Sequence, residues 1–220
     1  MKICFVGDSH APKILAAAAL VHGFDVIADP SDAELVFISQ DTPTDAAGIR
    51  DVAPIKSLVE ETYAKTQGVI VLTSQVMPGF TRALGLPIFY MAETLRIKDA
   101  MDRALEPEQF IVGKGSQCEE IPQALMNYMI AHKKARIHEM TYEDAEFAKI
   151  AINSFLAAQV ECTNKLATAA LVAGAKWKHI AAVLRTDKRI GPYAYLEPGR
   201  WQDSRHLLRD SVTLEALLAR

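Results

Sequence analysis

Short apolar runs and longer segments of helical periodicity alternate over the first 140 residues of the chain. Runs rich in β-branched and aromatic residues predict seven strands, at 2–6, 24–28, 35–39, 69–73, 88–90, 110–112 and 136–138. The segments between them predict helices at 12–22, 49–66, 93–104 and 122–132. Continuously apolar strands separated by helices are typical of a parallel sheet covered on both faces. The pattern therefore predicts a doubly wound α/β domain.

The pattern becomes purely helical from about residue 142. A long alanine-rich segment runs from 142 to 172 and ends before Gly174, and two more helical segments follow at 177–184 and 204–218. The apolar positions of the long segment are too many for one core stripe, which favours packing against a second subunit. We place a domain boundary near Met140, with an α/β domain over 1–140 and a helical domain over 141–220.

Composition and charge exclude several classes of protein. Half of the 220 residues are hydrophobic, and a net charge of −3 with scattered Lys and Arg argues against a nucleic-acid partner. We find no apolar run long enough for a signal peptide or a membrane span. Cys4, Cys118 and Cys162 have neither metal-ligand nor redox spacing. We expect a cytoplasmic protein with reduced thiols, no metal and no membrane association.

The first strand leads into Gly7-Asp8-Ser9-His10-Ala11-Pro12, where a dinucleotide-binding fold has G-x-G-x-x-G. Gly7 can supply the tight turn, but Ser9 stands where a glycine lets the backbone approach a pyrophosphate. The following helix still offers N-terminal N–H groups to an anion. Asp29, after the second strand, is placed to accept hydrogen bonds from a ribose and would favour NAD over NADP. An ordinary Asp-Pro-Ser turn explains Asp29 equally well.

The long helical segment carries Glu146-x-x-Lys149-x-x-x-Asn153. Residues four apart on a helix point the same way, so Lys149 and Asn153 can place an amine and an amide against one ligand. A solvated lysine and a tolerated asparagine on an amphipathic helix are the alternative. Further motifs are Thr42-Pro43-Thr44, Pro78-Gly79, Met91-Ala92-Glu93, Arg189-Ile190-Gly191 and Pro198-Gly199.

With these motifs the chain resembles the UDP-glucose/GDP-mannose dehydrogenase family. The resemblance implies a Rossmann-like domain that binds NAD, a helical dimerisation domain and a homodimer through the 142–172 helix. It further implies a nucleotide-sugar substrate. Three hydroxyl residues fall in loops that contact the cofactor in the family: Thr42, Thr44 and Ser74.

Five residues take catalytic positions by the same resemblance. Glu93 matches a glutamate that acts with ordered water as a general base, whereas the family's second glutamate is Ile97 here. Lys149 and Asn153 match residues that hold the sugar and water, and a lysine charge stabilises a developing alkoxide. Asp210 would position a water. The substrate-binding positions that the resemblance implies are Arg189, Gly191 and Gly199.

His206 stands at the position of the family's nucleophilic cysteine by ungapped counting. Without a thiolate, neither a thiohemiacetal nor a thioester forms, so the two-step oxidation to a carboxylate is excluded by that route. His206 could act as an acid or base, although a lone histidine on a leucine-rich helix is more often structural. At most one hydride transfer is expected.

The chain also departs from the family in length. The segment after Asp29 is shortened by roughly a helix, a strand and a helix, and we expect the family's C-terminal nucleotide-sugar domain to be missing. Three hypotheses remain open. The first is a minimal NAD-dependent dehydrogenase acting on the alcohol of a nucleotide sugar or a smaller sugar. The second is an inactive relative that binds such a ligand, and the third is a structural dimeric partner protein.

Overall fold

The computed structural model describes residues 1–45, 49–118 and 120–219. They form two compact units. The first comprises Met1–Asp45 and Arg50–Lys149, and the second is formed mainly by Ile150–Arg220.

All seven predicted runs form strands of one sheet in the first unit. The strands are β1 (Lys2–Val6), β2 (Asp25–Ile27), β3 (Leu35–Ile38), β4 (Val69–Leu72), β5 (Phe89–Met91), β6 (Gln109–Lys114) and β7 (Arg136–Thr141). Their order in the sheet is β2-β1-β3-β4-β5-β6-β7. Neighbouring strands are parallel except β5 and β6, which are antiparallel. The α/β fold class is confirmed: the sheet is mostly parallel, and β5 with β6 is its one antiparallel pair among the described residues.

Eight helices accompany the sheet within the described residues. They are α1 (Ala11–Val21), α2 (Ala53–Tyr63), α3 (Phe80–Ala83), α4 (Ala100–Leu105), α5 (Gln123–Ala131), α6 (Tyr142–Val172), α7 (Trp177–Thr186) and α8 (Arg205–Leu218). The segment predicted as a helix from residue 93 becomes helical only at the short 3-10 turn Ile97–Asp99, so Glu93 lies in a loop. The four-residue helix α3 was not predicted. It follows Gly79, whose φ of +92° reverses the chain.

Both faces of the sheet are buried, as the apolar strands predict. Alternate residues of a strand point to opposite faces. In β3 all four residues are buried, so Leu35 and Phe37 face one side and Val36 and Ile38 the other. Phe37 belongs to an apolar cluster that includes Tyr128 of α5, and the two rings lie 4.7 Å apart.

The parallel strands β1, β3, β4 and β5 all end at the same edge of the sheet. The loops that follow them therefore meet at that edge, where ligands bind in open α/β sheets. Gly7 follows β1, Ser39 follows β3, Ser74 follows β4 and Glu93 follows β5.

The first turns of α6 are fixed onto the sheet by specific contacts. Thr141 caps the helix by accepting a hydrogen bond from the Asp144 N–H at 3.2 Å. The Tyr142 hydroxyl donates to the carbonyl of Ile88, just before β5. A Cβ at Gly115 would lie 2.5 Å from the Tyr142 ring, so only glycine permits this approach. From Tyr142, two turns of helix rise about 10 Å to Lys149.

No helix among the described residues is long and apolar enough to span a bilayer.

Candidate functional site

The loop after β1 makes the tight turn that was predicted. Gly7 has φ +118°, and a Cβ on it would lie 2.2 Å from the Ser39 carbonyl oxygen, so no other residue fits. The Ser9 hydroxyl forms a hydrogen bond with the Ser39 hydroxyl at 2.7 Å. Ser9 therefore ties the loop to the end of β3 and occupies space that a glycine leaves open. Helix α1 then begins at Ala11 with Pro12 in its first turn.

Asp29 lies exposed after β2, which is the outermost strand on one side of the sheet. Its Oδ1 accepts a hydrogen bond from the Ser31 N–H at 2.9 Å, which forms the predicted turn. The hydrogen bonds with Ser31 hold the pKa of Asp29 below its ordinary value. The side chain is thus an ionised, exposed acceptor as well as a turn residue, and the two interpretations are compatible.

The three predicted hydroxyl residues make hydrogen bonds within and between the loops that follow β3 and β4. Thr42 is buried and donates from Oγ1 to the Gln75 carbonyl at 3.0 Å. Ser74 is buried and accepts from the Gln40 N–H at 2.8 Å. Thr44 is exposed and donates to the Thr42 carbonyl. Their observed bonds hold the loops after β3 and β4 against each other.

Glu93 is half-buried in the loop after β5 and accepts a hydrogen bond from the Leu95 N–H. Burial raises the pKa of Glu93. Smaller effects lower it, among them the positive charge of Lys149, the hydrogen bond from Leu95 and the charge of His10. The pKa of this carboxyl group therefore responds to charges on the loop before α1 and on helix α6. Sequence reasoning named Glu93 and Lys149 but missed His10, which takes an unspecified position in the glycine fingerprint.

Glu146 is a fully buried carboxylate one turn before Lys149. Its Oε2 accepts a hydrogen bond from the Gly79 N–H at 2.6 Å, and its Oε1 accepts one from the Thr81 N–H at 2.8 Å. Burial raises the pKa of Glu146, while the hydrogen bonds with Thr81 and Gly79 lower it. The sequence placed Glu146 in a motif without revealing this contact with the Pro-Gly loop.

In the second unit, the predicted residues Asn153 and Asp210 are hydrogen-bonded to each other. The Asn153 Nδ2 donates to the Asp210 Oδ2 at 2.6 Å, and both residues are buried. A buried carboxylate requires such partners. The pair joins α6 to α8.

Gly199 is held by Asn164, a residue of α6. The Asn164 Oδ1 accepts from the Gly199 N–H at 2.9 Å, and its Nδ2 donates to the Gly199 carbonyl at 2.7 Å. Gln159 and Thr163 bind the N–H and carbonyl of Tyr195 in the same way, at 2.9 and 2.8 Å. These side chains fix the loop before α8. The run of polar residues within an alanine-rich helix was the available signal for them.

Arg189 and Gly191 lie in the turn after α7. Arg189 is exposed and paired with Asp187 through its Nε at 3.0 Å and its Nη2 at 2.7 Å. Gly191 has φ +85° and donates its N–H to the Asp187 carbonyl. The observed hydrogen bonds of both residues thus converge on Asp187.

His206 is exposed in the first turn of α8. The Nη2 of buried Arg209 lies 3.3 Å from its Nδ1. Since a guanidinium only donates, Nδ1 accepts and the proton of the neutral imidazole lies on Nε2. His206 is thus oriented as a hydrogen-bond donor and offers no thiolate chemistry.

Residues 143–217 match the model of the UDP-glucose/GDP-mannose dehydrogenase family, central domain. The chain is 26% identical to the UDP-glucose 6-dehydrogenase of Pseudomonas aeruginosa over 202 residues, which cover 83% of this chain and 43% of the relative. It is 27% identical to the Streptococcus pneumoniae enzyme of that name over 175 residues, with coverages of 74% and 43%.

Solved structures of two nucleotide-sugar dehydrogenases have the same fold as this chain. A UDP-glucose dehydrogenase from Pyrobaculum islandicum has a TM-score of 0.70 at 18% identity, covering 97% of this chain and 67% of that one. A GDP-mannose dehydrogenase from Pseudomonas aeruginosa has a TM-score of 0.70 at 19% identity, with coverages of 98% and 65%. The resemblance read from the motifs is confirmed. The chain spans about two fifths of the length of the curated relatives it matches.

Proposed function

Because the chain is a divergent relative of the UDP-glucose/GDP-mannose dehydrogenase family, we propose that it is an NAD-dependent oxidoreductase acting on a CH–OH group. Its substrate would be a nucleotide sugar or a smaller sugar, and it would transfer a single hydride. The observation that carries this proposal is that Glu93 lies half-buried in the loop after β5, at the carboxyl ends of the strands, while Glu146, one turn before Lys149, fixes α6 to the loop after β4. A carboxyl group of raised pKa beside an ammonium is suited to moving the proton of an alcohol.

The residues at the carboxyl ends of the strands fit NAD. The turn at Gly7 admits no Cβ and leads into the N-terminus of α1, where free N–H groups favour a pyrophosphate. Asp29 offers an ionised acceptor for a ribose diol, and its charge disfavours a 2′-phosphate. Thr42, Thr44 and Ser74 would support the neighbouring loops. The division into an NAD-binding domain, 1–140, and a helical central domain, 141–220, is part of this proposal.

In the proposed reaction, Lys149 stabilises the alkoxide that forms when the alcohol loses its proton. Glu93 accepts that proton, because its raised pKa makes the carboxylate a stronger base than an exposed glutamate. Bound NAD would accept the hydride. The product is then a carbonyl compound.

Six residues of the second unit are proposed from the family resemblance to contact a substrate: Asn153, Asp210, Arg189, Gly191, Gly199 and His206. Of the cysteines, Cys4 and Cys118 are buried and Cys162 is exposed on α6. His206 stands where the family has its nucleophile, and a neutral imidazole with its proton on Nε2 can hydrogen-bond a carbonyl oxygen without forming a thioester. Release of the carbonyl product would follow.

We expect a cytoplasmic homodimer formed through α6. Phe155 and Leu166 are 67% and 46% exposed, and eleven residues of helix bring them back to one side. Exposed Ala158 and Cys162 lie between them on the same stripe. Exposed large apolar side chains beside small residues are suited to close helix packing.

Phe155→Glu is expected to convert this dimer to a monomer, because it places a charge in an apolar contact. Size-exclusion chromatography with light scattering measures the change in mass. Val183→Glu on α7 is the matched control, since Val183 is equally exposed, at 68%, but lies outside the stripe. A wild-type chain that is monomeric at all concentrations would refute the dimer.

Calorimetric titration with NAD, followed by UDP-glucose in its presence, tests the proposed function. We expect NAD to bind, and Ser9→Gly to strengthen binding roughly tenfold, because it restores close approach of one N–H to a charged pyrophosphate. NADP is the control ligand and should bind more weakly. Absence of NAD binding to both proteins would overturn the dehydrogenase proposal. NAD binding without turnover of any sugar substrate would favour the inactive ligand-binding relative.

A further inference from the structure

The Glu146 carboxylate uses both of its oxygens to hold a loop. The Gly79 and Thr81 N–H groups that it binds lie at the start of α3. N–H groups in the first turn of a helix have no acceptor within that helix, so a carboxylate there satisfies otherwise orphaned donors. The two bonds connect the loop after β4 with helix α6, 65 and 67 residues away along the chain.

This contact lies one turn from Lys149 on the same helix. Residues three apart on a helix are neighbours, so fixing Glu146 also fixes the rotation of α6 at Lys149. Tyr142 anchors the beginning of the helix through the Ile88 carbonyl, and Glu143 pairs with Arg82 at 2.8 Å on the exposed side. Glu146 is a buried anchor nearer to Lys149 than either of these.

Holding a loop with a buried charge is unfavourable, because the charge loses its hydration. Packed apolar residues often replace buried ion pairs without loss of stability. Burial indeed raises the pKa of Glu146 despite its two N–H donors. Such a group is better explained by the geometry that it specifies than by the stability that it adds.

We propose that Glu146 is the positioning residue for Lys149, setting the position of the lysine relative to Glu93 by binding the Gly79 and Thr81 N–H groups. Glu146 itself does not touch the reacting atoms. The inference rests on the proposed function only in treating Lys149 and Glu93 as active-site groups. Their juxtaposition can be measured without any turnover.

The direction in which the pKa of Glu93 changes when Glu146 is replaced distinguishes two roles of Glu146: positioning Lys149, and acting on Glu93 directly through its charge. Lys149 lowers the pKa of Glu93, so a displaced lysine lets that pKa rise. Removing the negative charge of Glu146 would, by itself, lower the pKa of Glu93, because a neighbouring carboxylate disfavours ionisation. The two effects have opposite signs.

The experiment is a carbon-13 NMR titration of the Glu93 carboxyl group in the full chain. Lys149→Met sets the rise expected when the lysine charge is lost. Glu146→Ala is expected to give a rise of the same sign, and Glu146→Gln a smaller one because its amide oxygen can still accept one N–H. The double variant should match Lys149→Met alone, since Glu146 acts through Lys149.

Glu143→Gln is the matched control, because it neutralises a carboxylate on the same helix that is bound to Arg82 instead of the loop. It should leave the pKa of Glu93 unchanged. An unchanged or lowered pKa of Glu93 in both Glu146 variants would overturn the proposal, as would additive shifts in the double variant. If Glu146→Ala does not fold, Glu146→Gln decides. Failure of NAD binding would refute the dehydrogenase proposal and leave this result standing.

Discussion

Gly7→Ala is expected to lower the free energy of unfolding by more than about 4 kcal/mol, in the range reached only by severe structural changes. The added Cβ would lie 2.2 Å from the Ser39 carbonyl oxygen, and φ at +118° is unfavourable for alanine. The clash is with backbone at the end of β3, which cannot move without disrupting the sheet. Chemical denaturation followed by circular dichroism measures the loss.

Gly85→Ala is the control for this prediction. Gly85 also has a positive φ, +67°, but a Cβ there meets nothing within 4 Å. The expected cost is about 1–2 kcal/mol, the cost of a left-handed conformation alone. Equal losses in the two variants would show that the close approach at Ser39 is unimportant. If enough Gly7→Ala protein folds, it should also fail to bind NAD.

Lys149→Met is expected to reduce turnover about 10²–10³-fold, the usual loss when one group that stabilises a developing oxyanion is removed. Methionine keeps the length and apolar stem of the side chain, so the fold should persist. Steady-state kinetics with the sugar substrate identified in the NAD titration provides the measurement. Retention of full turnover would show that the active site has been assigned wrongly.

The same variant should change the pH dependence. A base works when it is ionised, so activity rises with pH through the pKa of Glu93. Because Lys149 lowers that pKa, its removal raises the pKa further and moves the acid limb of the profile to higher pH. Lys165→Met, which loses an exposed lysine paired with Glu161 on the same helix, should change neither rate nor profile.

The strands show how far local pattern reaches. β1 has the predicted ends, Lys2 and Val6, and α6 has the predicted ends, Tyr142 and Val172. Apolar positions of period 2 or 3.6 record which face of an element is buried, and that record lies within each segment. Strand direction is different. The antiparallel pairing of β5 and β6 depends on the route of the chain between them.

The candidate site divides in the same way. The motifs and the family resemblance predicted Glu93, Lys149 and Asn153 as site residues, but the environment of Glu93 could not be predicted, since the helix expected there starts only at residue 97. The Asn153–Asp210 bond joins residues 57 apart. Which residues become such hydrogen-bond partners depends on how the helices pack. The hydrophobic periodicity within one helix does not contain that information.

The sequence alone determined the strands, most helices, the α/β class and the family resemblance, because each rests on local periodicity or short motifs. Only the tertiary structure decided that Ser9 bonds to Ser39, that Asn164 holds Gly199 and that Glu146 holds Gly79 and Thr81. A hydrogen bond requires a donor–acceptor distance that is correct to within a few tenths of an ångström, here between groups far apart in the chain. Those distances exist only once the elements have packed.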